Sequence, residues 1–298
     1  MKLLKTLTII FLYLSINSLN AQNLKPYILA AISDAPLAEI SEVVKTNLTE
    51  SGLEVIGEYY PANDSNRKVF VVTSSELKDA VKTIGGLTGF ASALRIGLTS
   101  ENDIINISYT NPIYWGNAYF GDNYDQVEQQ YISVTEKISA TLSNVGKVKD
   151  LPFGSKDGLT IKSLRKYRYM FGMEKFDDVA ELNEFESYED AVSTVDEELA
   201  STDNLVYSVE FPEEKIKLYG IAIEGEKGEE HFLPIIDILE PQHTAFLPYE
   251  LLIVDNEAVM LHGRFRIALS FPDLTMMTFS KIMSTPGDIK DALKGYTQ

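Results

Sequence analysis

Short apolar runs alternate with helical apolar patterns along the first half of the chain. After Pro36, apolar side chains recur every three or four residues as far as Gly52, which predicts a helix with one buried face. A second helix is predicted to begin at Ser74 or Ser75 and to end at the glycine pair 85–86. The apolar runs of strand length predict strands at residues 25–32, 53–60 and 68–73.

A hairpin and a helix complete this first unit. Residues 89–99 and 104–110 are predicted to pair as strands, because the four residues between them, SEND, are turn formers. Pro112 is predicted to end the second strand. Residues 124–142 carry apolar side chains on one side of a predicted helix, and Gly146 follows its end.

The following region, residues 147–165, is rich in glycine, proline and charge and is predicted to be a linker. A second unit follows. Its first helix is predicted to start at Ser187, where Asp190 has the spacing of a capping box, and a short helix after Pro286 closes the chain. The predicted strands lie at residues 166–176, 204–211, 215–224 and 231–238, with a hairpin at 244–254 and 258–271.

The two halves share an order of elements, although they share little sequence identity. Each contains a hairpin with an acidic and amide turn, and each hairpin runs into a proline, Pro112 or Pro272. We therefore predict an α+β fold with two related domains, 25–146 and 166–298, each a mostly antiparallel sheet with helices packed on one face. Such halves could pack as an intramolecular pseudo-dimer with a cleft between them. A chance similarity between two α+β units is the alternative.

Composition and charge exclude several classes of function. The chain is 45% hydrophobic and 23% charged, as expected of a globular protein, and its formal net charge is -18. Such an acidic surface repels phosphate backbones and anionic lipid headgroups, which argues against a nucleic-acid partner. The chain has no cysteine, which excludes thiol catalysis, cysteine-ligated metal and a lipid anchor on an amino-terminal cysteine.

The first 21 residues have the pattern of a signal peptide. Lys2 and Lys5 precede an apolar run at 7–14, and Ala21 stands at a suitable cleavage point. The run is short for a membrane span, and no other candidate span follows. We expect a mature protein that is soluble in a periplasm or outside the cell. An uncleaved amino-terminal anchor is the alternative.

The segment 108–124 concentrates aromatic residues and contains the only tryptophan of the chain. Asparagine, glycine and aspartate lie between the aromatics, which favours a loop. Tyr114, Trp115 and Tyr119 are therefore candidate ligand-binding residues, since aromatic side chains in loops often contact ligands. The alternative is that they cover a core, the ordinary role of large aromatic side chains.

A row of polar side chains forms the second candidate site. In the predicted strand 258–271, His262, Arg264 and Arg266 alternate on one face and could line an anion-binding surface. The alternative is an exposed face whose charges keep a sheet edge soluble. The other histidines, His231 and His243, have no metal-ligand spacing with it, so no metal and no cofactor are predicted.

Other motifs give no support to a catalytic site. The acidic stretch 177–198 lacks the alternating ligands of a calcium loop, and the glycine-rich stretch 85–90 follows a helix where a phosphate loop follows a strand. No G-x-S-x-G nucleophile elbow occurs. The sequence predicts no catalytic residue.

The hairpin segments carry a family resemblance. ALRIGLTSENDIINISYTNP (93–112) and FLPYELLIVDNEAVMLHGRFRIALSFPD (246–273) both resemble the central hairpin of domain-of-unknown-function family 302, DUF302. Residues 43–59 resemble the helix-to-strand entry of that family, with Gly52 at the turn. The resemblance covers most of 25–146 and, less closely, 166–295, where the segment from turn to proline is six residues longer. It implies two tandem compact α+β copies, the second more divergent, and it supplies no reaction and no site residues.

Two functions of different classes remain. The first is a binding or interaction module whose partner, a small molecule or a protein, occupies the inter-domain cleft or the aromatic segment. The alternative is a periplasmic enzyme of hydrolase type that uses His262 or His243 with nearby carboxylates. The sequence favours the first, because no nucleophile has the spacing that a neighbouring base requires.

Overall fold

The computed structural model describes residues 23–298, so the predicted signal peptide lies outside the described residues. It has two antiparallel sheets with helices, which confirms the α+β class. The strands are β1 (Tyr27–Ser33), β2 (Glu54–Tyr59), β3 (Arg67–Thr73), β4 (Leu94–Glu101), β5 (Ile104–Thr110), β6 (Lys147–Phe153), β7 (Ala180–Glu184), β8 (Leu205–Phe211), β9 (Ile216–Ile221), β10 (Tyr249–Val254) and β11 (Glu257–Met260).

The helices lie between and after these strands. They are α1 (Leu37–Glu50), α2 (Ser75–Ile84), α3 (Pro112–Phe120), α4 (Glu128–Leu142), α5 (Ile161–Leu164), α6 (Tyr188–Ala200), α7 (Glu229–Ile236), α8 (Gly263–Ser270), α9 (Met276–Ser280) and α10 (Thr285–Lys294). The predicted caps at Ser74 and Ser187 are present: each side chain accepts a hydrogen bond from the backbone three residues on.

The first sheet has the strand order β2-β3-β4-β5-β1-β6, with antiparallel pairing throughout. Its central hairpin turns at Asn102 and Asp103, both with positive φ, as a tight two-residue turn requires. The predicted linker begins with a strand: β6 pairs with β1 from Tyr27 to Ile32 and extends the sheet. The unpaired backbone groups of an edge strand can bind a further strand through backbone hydrogen bonds. The content of glycine, proline and charge in residues 147–165 therefore did not reveal β6.

The second sheet has the order β7-β11-β10-β9-β8 and is also antiparallel. Its strands follow the same connectivity as the first five strands of the first unit, with β7 in the place of β1 and β10 and β11 in the places of β4 and β5. Residues 166–176, predicted as a strand, contain none; β7 begins only at Ala180.

The two sheets meet face to face along a surface that we call the seam. Alternate residues of β4 face the second unit: Arg95 contacts Glu250, and the hydroxyls of Thr99 and Thr244 lie 2.6 Å apart. Between them, a Cβ on Gly97 would lie 2.9 Å from the backbone nitrogen of Ala245, so only glycine permits this approach. The intervening residues of β4 point to the opposite face of the sheet, because side chains alternate along a strand.

The aromatic segment is a helix and not a loop. Asn111 caps α3, since its Oδ1 accepts a hydrogen bond 3.2 Å long from the backbone nitrogen of Ile113, and Pro112 occupies the first turn. Eight of the nine residues of α3 are buried. The helix therefore has no polar face, and its sequence lacks the periodicity that marks a surface helix.

The prediction of one long strand at 258–271 is also wrong. The strand β11 stops at Met260, and α8 begins at Gly263 with His262 as its cap, whose Nδ1 accepts a hydrogen bond from the backbone nitrogen of Arg264. Seven of the eight residues of α8 are buried, so, like α3, it lacks the periodic polar face that identifies a surface helix. The predicted strand at 231–238 is helix α7, which contains Pro234.

Candidate functional site

A cleft of about 470 Å³ opens at one end of the seam, with walls from both units. We call it the seam cleft. Most of its wall is apolar and includes Phe153, Ile236, Ile238, Leu239, Phe271 and Leu274. Its polar residues include Lys25, Ser155, Lys156, Glu240, His243 and Asp273.

Three segments position these walls. The first unit supplies the end of β6 and the loop after it, and the second supplies the end of α7 with the turn 238–243 and the segment after α8. The loop is fastened across the seam by Asp273, which accepts hydrogen bonds from the Ser155 hydroxyl (3.2 Å) and the Lys156 backbone nitrogen (2.5 Å). The cleft is therefore held by contacts between the units.

His243 lies in the wall of the cleft with only 5% of its surface exposed. Its ring packs among three aromatic rings, with centroid distances of 4.6 Å to Phe271, 5.1 Å to Tyr27 and 5.7 Å to Phe153. These contacts fix the plane of the imidazole. His243, to which the sequence spacing assigned no partner, is thus held in place by aromatic rings.

A buried carboxylate orients this ring. Oδ1 of Asp237 lies 2.6 Å from Nδ1 of His243 and also accepts a hydrogen bond of 2.8 Å from the backbone nitrogen of His243. Because an ionised carboxylate only accepts, the proton of the neutral ring is on Nδ1 and the lone pair is on Nε2. Within the described residues, Nε2 has no hydrogen-bond partner.

The first unit supplies the countercharge of this carboxylate. Nη1 of Arg67, at the start of β3, donates to the other oxygen of Asp237. Burial alone raises the pKa of Asp237, but the hydrogen bonds from His243 and the positive charge of Arg67 outweigh burial and hold it below its ordinary value. Asp237 is thus an anion that joins the two units and holds His243 in one tautomer.

The remaining polar groups of the cleft differ in how they are satisfied. Both oxygens of Asp273 are bound by the loop 155–156, and Glu240 accepts from the side-chain amide of Asn102 at 3.2 and 3.3 Å. The ammonium groups of Lys25 and Lys156 make no ion pair or hydrogen bond with any residue between 23 and 298. The unsatisfied polar atoms of the cleft are therefore nitrogens.

The candidate aromatic residues lie in the core of the seam. Tyr114 is fully buried, and Trp115 and Tyr119 are each 4% exposed. The Trp115 indole donates to the carbonyl of Pro26 at 2.9 Å, and the Tyr114 hydroxyl donates across the seam to the carbonyl of Leu269 at 2.8 Å. With their rings and polar atoms in contact with protein, these side chains join α3 to β1 and to α8.

Arg266 lies in the same core, apart from the two residues with which it was predicted to form a row. It is 2% exposed; it donates to the Tyr119 hydroxyl at 3.0 Å and to the carbonyl of Phe246 at 2.9 Å, and its guanidinium lies 5.3 Å from the Trp115 ring. Glu250 lies 3.5 Å from it and also pairs with Arg95. This cluster is a buried ionic contact of the seam.

His262 and Arg264 lie elsewhere, at the surface. Both approach Glu174, at 3.4 Å and 3.3 Å respectively, so the structure places them together but without Arg266. Burial and the charge of Arg264 lower the pKa of His262 despite the attraction of Glu174. They do not line the seam cleft, whereas His243 does.

Several residues of the cleft carried no signal in the sequence. Lys25 and Lys156 are single basic residues that line the cleft with His243 only because the distant strands β1 and β6 pair. Arg67, which lies outside the cleft, likewise reaches Asp237 only through the fold. The sequence positions of Asp237 and His243 differ by six, a spacing that no helix or strand periodicity brings together. The signal that the sequence did offer for this pair is an acid, Asp237, in the same short segment as a histidine, His243.

The described residues contain neither a candidate metal site nor a helix that could span a membrane. Between residues 23 and 298, no three His, Asp or Glu side chains are grouped in a way that could hold a metal ion. Within the same range, every helix is too short or too polar to cross a membrane.

Comparisons with known proteins find a likeness among solved structures. No family model matches the chain, and no curated protein matches it. Among solved structures, it is similar to the crystal structure of uncharacterized conserved protein DUF302 from Bacillus stearothermophilus, with 13% sequence identity and a TM-score of 0.31. That match covers 38% of this chain and 95% of the other.

Proposed function

We propose that the protein binds a small molecule in the seam cleft. The observation that carries the proposal is the seam cleft itself, a mostly apolar cleft of about 470 Å³ with walls from both units and with the imidazole of His243 held in one wall.

The dimensions of the cleft support this proposal. A volume of about 470 Å³ lies within the usual range for small-molecule pockets, and such pockets combine apolar walls with a few fixed polar groups. Here one fixed polar group is the imidazole of His243, which is held by Asp237 at Nδ1 and by the aromatic rings around it. A rigid anchor reduces the entropy that binding costs.

The position of the cleft between the two units also supports the proposal that it binds a small molecule. We propose that the chain is exported and that the units are tandem DUF302-like copies that form an intramolecular pseudo-dimer. The common strand order supports the duplication, and the buried contacts of Arg95 with Glu250 and of Arg67 with Asp237 support a fixed arrangement of the units. Clefts between related units are common ligand sites.

A neutral apolar fluorophore, N-phenyl-1-naphthylamine, tests the proposal. Its fluorescence should rise on saturable binding, and Leu239→Trp, which adds an indole to the cleft wall, should abolish the rise. Val43→Trp is the control, because Val43 is also an exposed apolar residue and lies in α1, outside the cleft. Equal binding by both variants would contradict the proposal.

A second candidate function is hydrolysis with His243 as general base. The distance of 2.6 Å between Asp237 and His243, which lines a concave site, favours it, since an acid and the histidine that it orients are two of the three members of a catalytic triad. In this reaction, Nε2 takes a proton from a water that attacks an ester carbonyl, and the alcohol leaves with a proton from the ring. Hydrolysis of p-nitrophenyl butyrate at equal rates by the wild type and His243→Gln would exclude it.

A further inference from the structure

We propose that the ligand of the seam cleft is an amphipathic carboxylic acid, with its carboxylate at Lys25 and Lys156 and its apolar body along the wall formed by Leu239, Phe271 and Leu274. This inference rests on the proposed binding function and adds the chemical class of the ligand. It follows from which polar groups of the cleft are already satisfied.

The carboxylates of the cleft and its lysines differ in whether they already have hydrogen-bond partners in the protein. Asp273 and Glu240 accept hydrogen bonds from the protein, whereas neither lysine ammonium has a partner among residues 23–298. A ligand therefore finds donors without acceptors at this end of the cleft. In a chain with a net charge of -18, a pair of unpartnered lysines is also a local feature that favours an anion.

The charge balance favours a monovalent headgroup. Two lysines and two acids line the same cleft, so its formal charge is close to zero when Asp273 and Glu240 are ionised. A carboxylate can approach the two lysines closely, while a phosphate dianion is repelled more strongly by the neighbouring acids. The cleft thus selects a carboxylate over a phosphate ester with the same apolar body.

The apolar wall continues beyond the cleft. Leu274 also lines a second recess, of about 60 Å³, whose walls include Tyr169, Met170, Met173, Met276 and Phe279. Methionine side chains are flexible and adapt to apolar ligands of different shape. A chain longer than the cleft would therefore pass over Leu274 and lie against these methionines.

Helix α9 separates the cleft from this recess. Thr275 and Thr278 face the cleft, and Met276 and Phe279 face the recess. None of the five residues of α9 is buried, so few contacts hold it and a small shift is inexpensive. The helix can accordingly adjust to the length of the apolar body.

Isothermal titration below the critical micelle concentration tests the class of ligand. Dodecanoate should bind about tenfold more tightly than dodecan-1-ol, because two ion pairs distinguish them. Dodecyl phosphate should bind more weakly than dodecanoate. Lys25→Gln with Lys156→Gln should weaken dodecanoate about tenfold and leave the alcohol within about twofold. Lys82→Gln with Lys162→Gln, two exposed lysines outside the cleft, is the matched control.

The outcomes separate this inference from the binding function. If acid and alcohol bind equally and the lysine variant binds both like the wild type, the carboxylate class is wrong while binding in the cleft stands. Tighter binding of the phosphate also overturns it. If no ligand of the series binds and the neutral fluorophore does not bind either, both proposals fail.

The length of the ligand has its own test. Met276→Asp should weaken hexadecanoate about tenfold and octanoate less than about twofold, because only the longer chain reaches the recess. Met283→Asp, at an exposed methionine that lines neither cavity, should leave both acids unaffected. Unchanged affinity of both acids with Met276→Asp would place the whole ligand away from the recess, and an equal loss for the two would show that chain length does not decide contact with it.

Discussion

Asp237 holds Nδ1 of His243 at 2.6 Å while its other oxygen accepts from Arg67 of the first unit. One buried carboxylate thus fixes a histidine of the cleft and joins the two units. The stability of the seam and the geometry of the cleft therefore depend on the same group.

Replacing this carboxylate should destabilise the fold. Asp237→Asn removes the countercharge of a buried arginine, which costs about 3 kcal/mol in the free energy of unfolding, because breaking one side of a buried pair leaves an uncompensated charge. Urea denaturation measures the change. The matched control is Asp64→Asn, whose carboxylate lies 3.5 Å from the same arginine at the surface and should cost less than about 1 kcal/mol. Equal losses of unfolding free energy in the two variants would show that the buried pair contributes no more to stability than the surface pair.

Glu229 should make the stability of the fold depend on pH. Its carboxylate is 3% exposed and accepts hydrogen bonds from the backbone of Ala62 and the hydroxyl of Tyr59 across the seam. Burial raises its pKa to about 7, above the ordinary 4.5, so the folded state binds a proton in the interval where the unfolded state has lost it. This contribution to stability is full below the ordinary pKa and is lost as the pH rises through about 7.

The measurement compares Glu229→Gln with the wild type. Between about pH 5 and about pH 8, the wild type should lose up to roughly 3 kcal/mol more of its unfolding free energy than the variant. Other titrating groups, including Asp237 with its lowered pKa, are common to both proteins and cancel in the difference. A wild type and a variant with parallel pH profiles would contradict the assignment.

Trp115 should act on stability and not on binding. Trp115→Ala removes a buried ring that contacts Arg266 and the backbone of Pro26, and should cost about 4 kcal/mol. Circular dichroism follows the unfolding, since the variant has no tryptophan. Trp115→Phe keeps most of the packing and serves if the alanine variant does not fold. Its affinity for N-phenyl-1-naphthylamine should equal that of the wild type, and a specific loss of binding would restore the aromatic segment as a ligand site.

The sequence predicted the surface elements of this fold better than its buried ones. The helices around Val44 and Val134 have one apolar face and were predicted, as was the turn at Asn102 in the first hairpin. The helices α3 and α8 were taken for a loop and a strand, because both are buried on nearly all sides and lack a periodic polar face.

The candidate site was less accessible to sequence reasoning. Arg266 was grouped with Arg264 by strand periodicity, but in a helix residues two apart point to nearly opposite sides, and here only Arg266 points into the seam. The contacts of Asp237 with Arg67 cross 170 residues, and no local pattern encodes them. The sequence did predict a cleft between the two units, and the seam cleft is the place where we propose that a ligand binds.

Native mass spectrometry of the protein purified without denaturation tests the central proposal most directly. The wild type and Val43→Trp should carry a bound small molecule of the same mass, released on acidification, and Leu239→Trp should lack it. If the bound mass were the same in all three proteins, or if no preparation retained a ligand and none bound added dodecanoate, the seam cleft would not be the binding site.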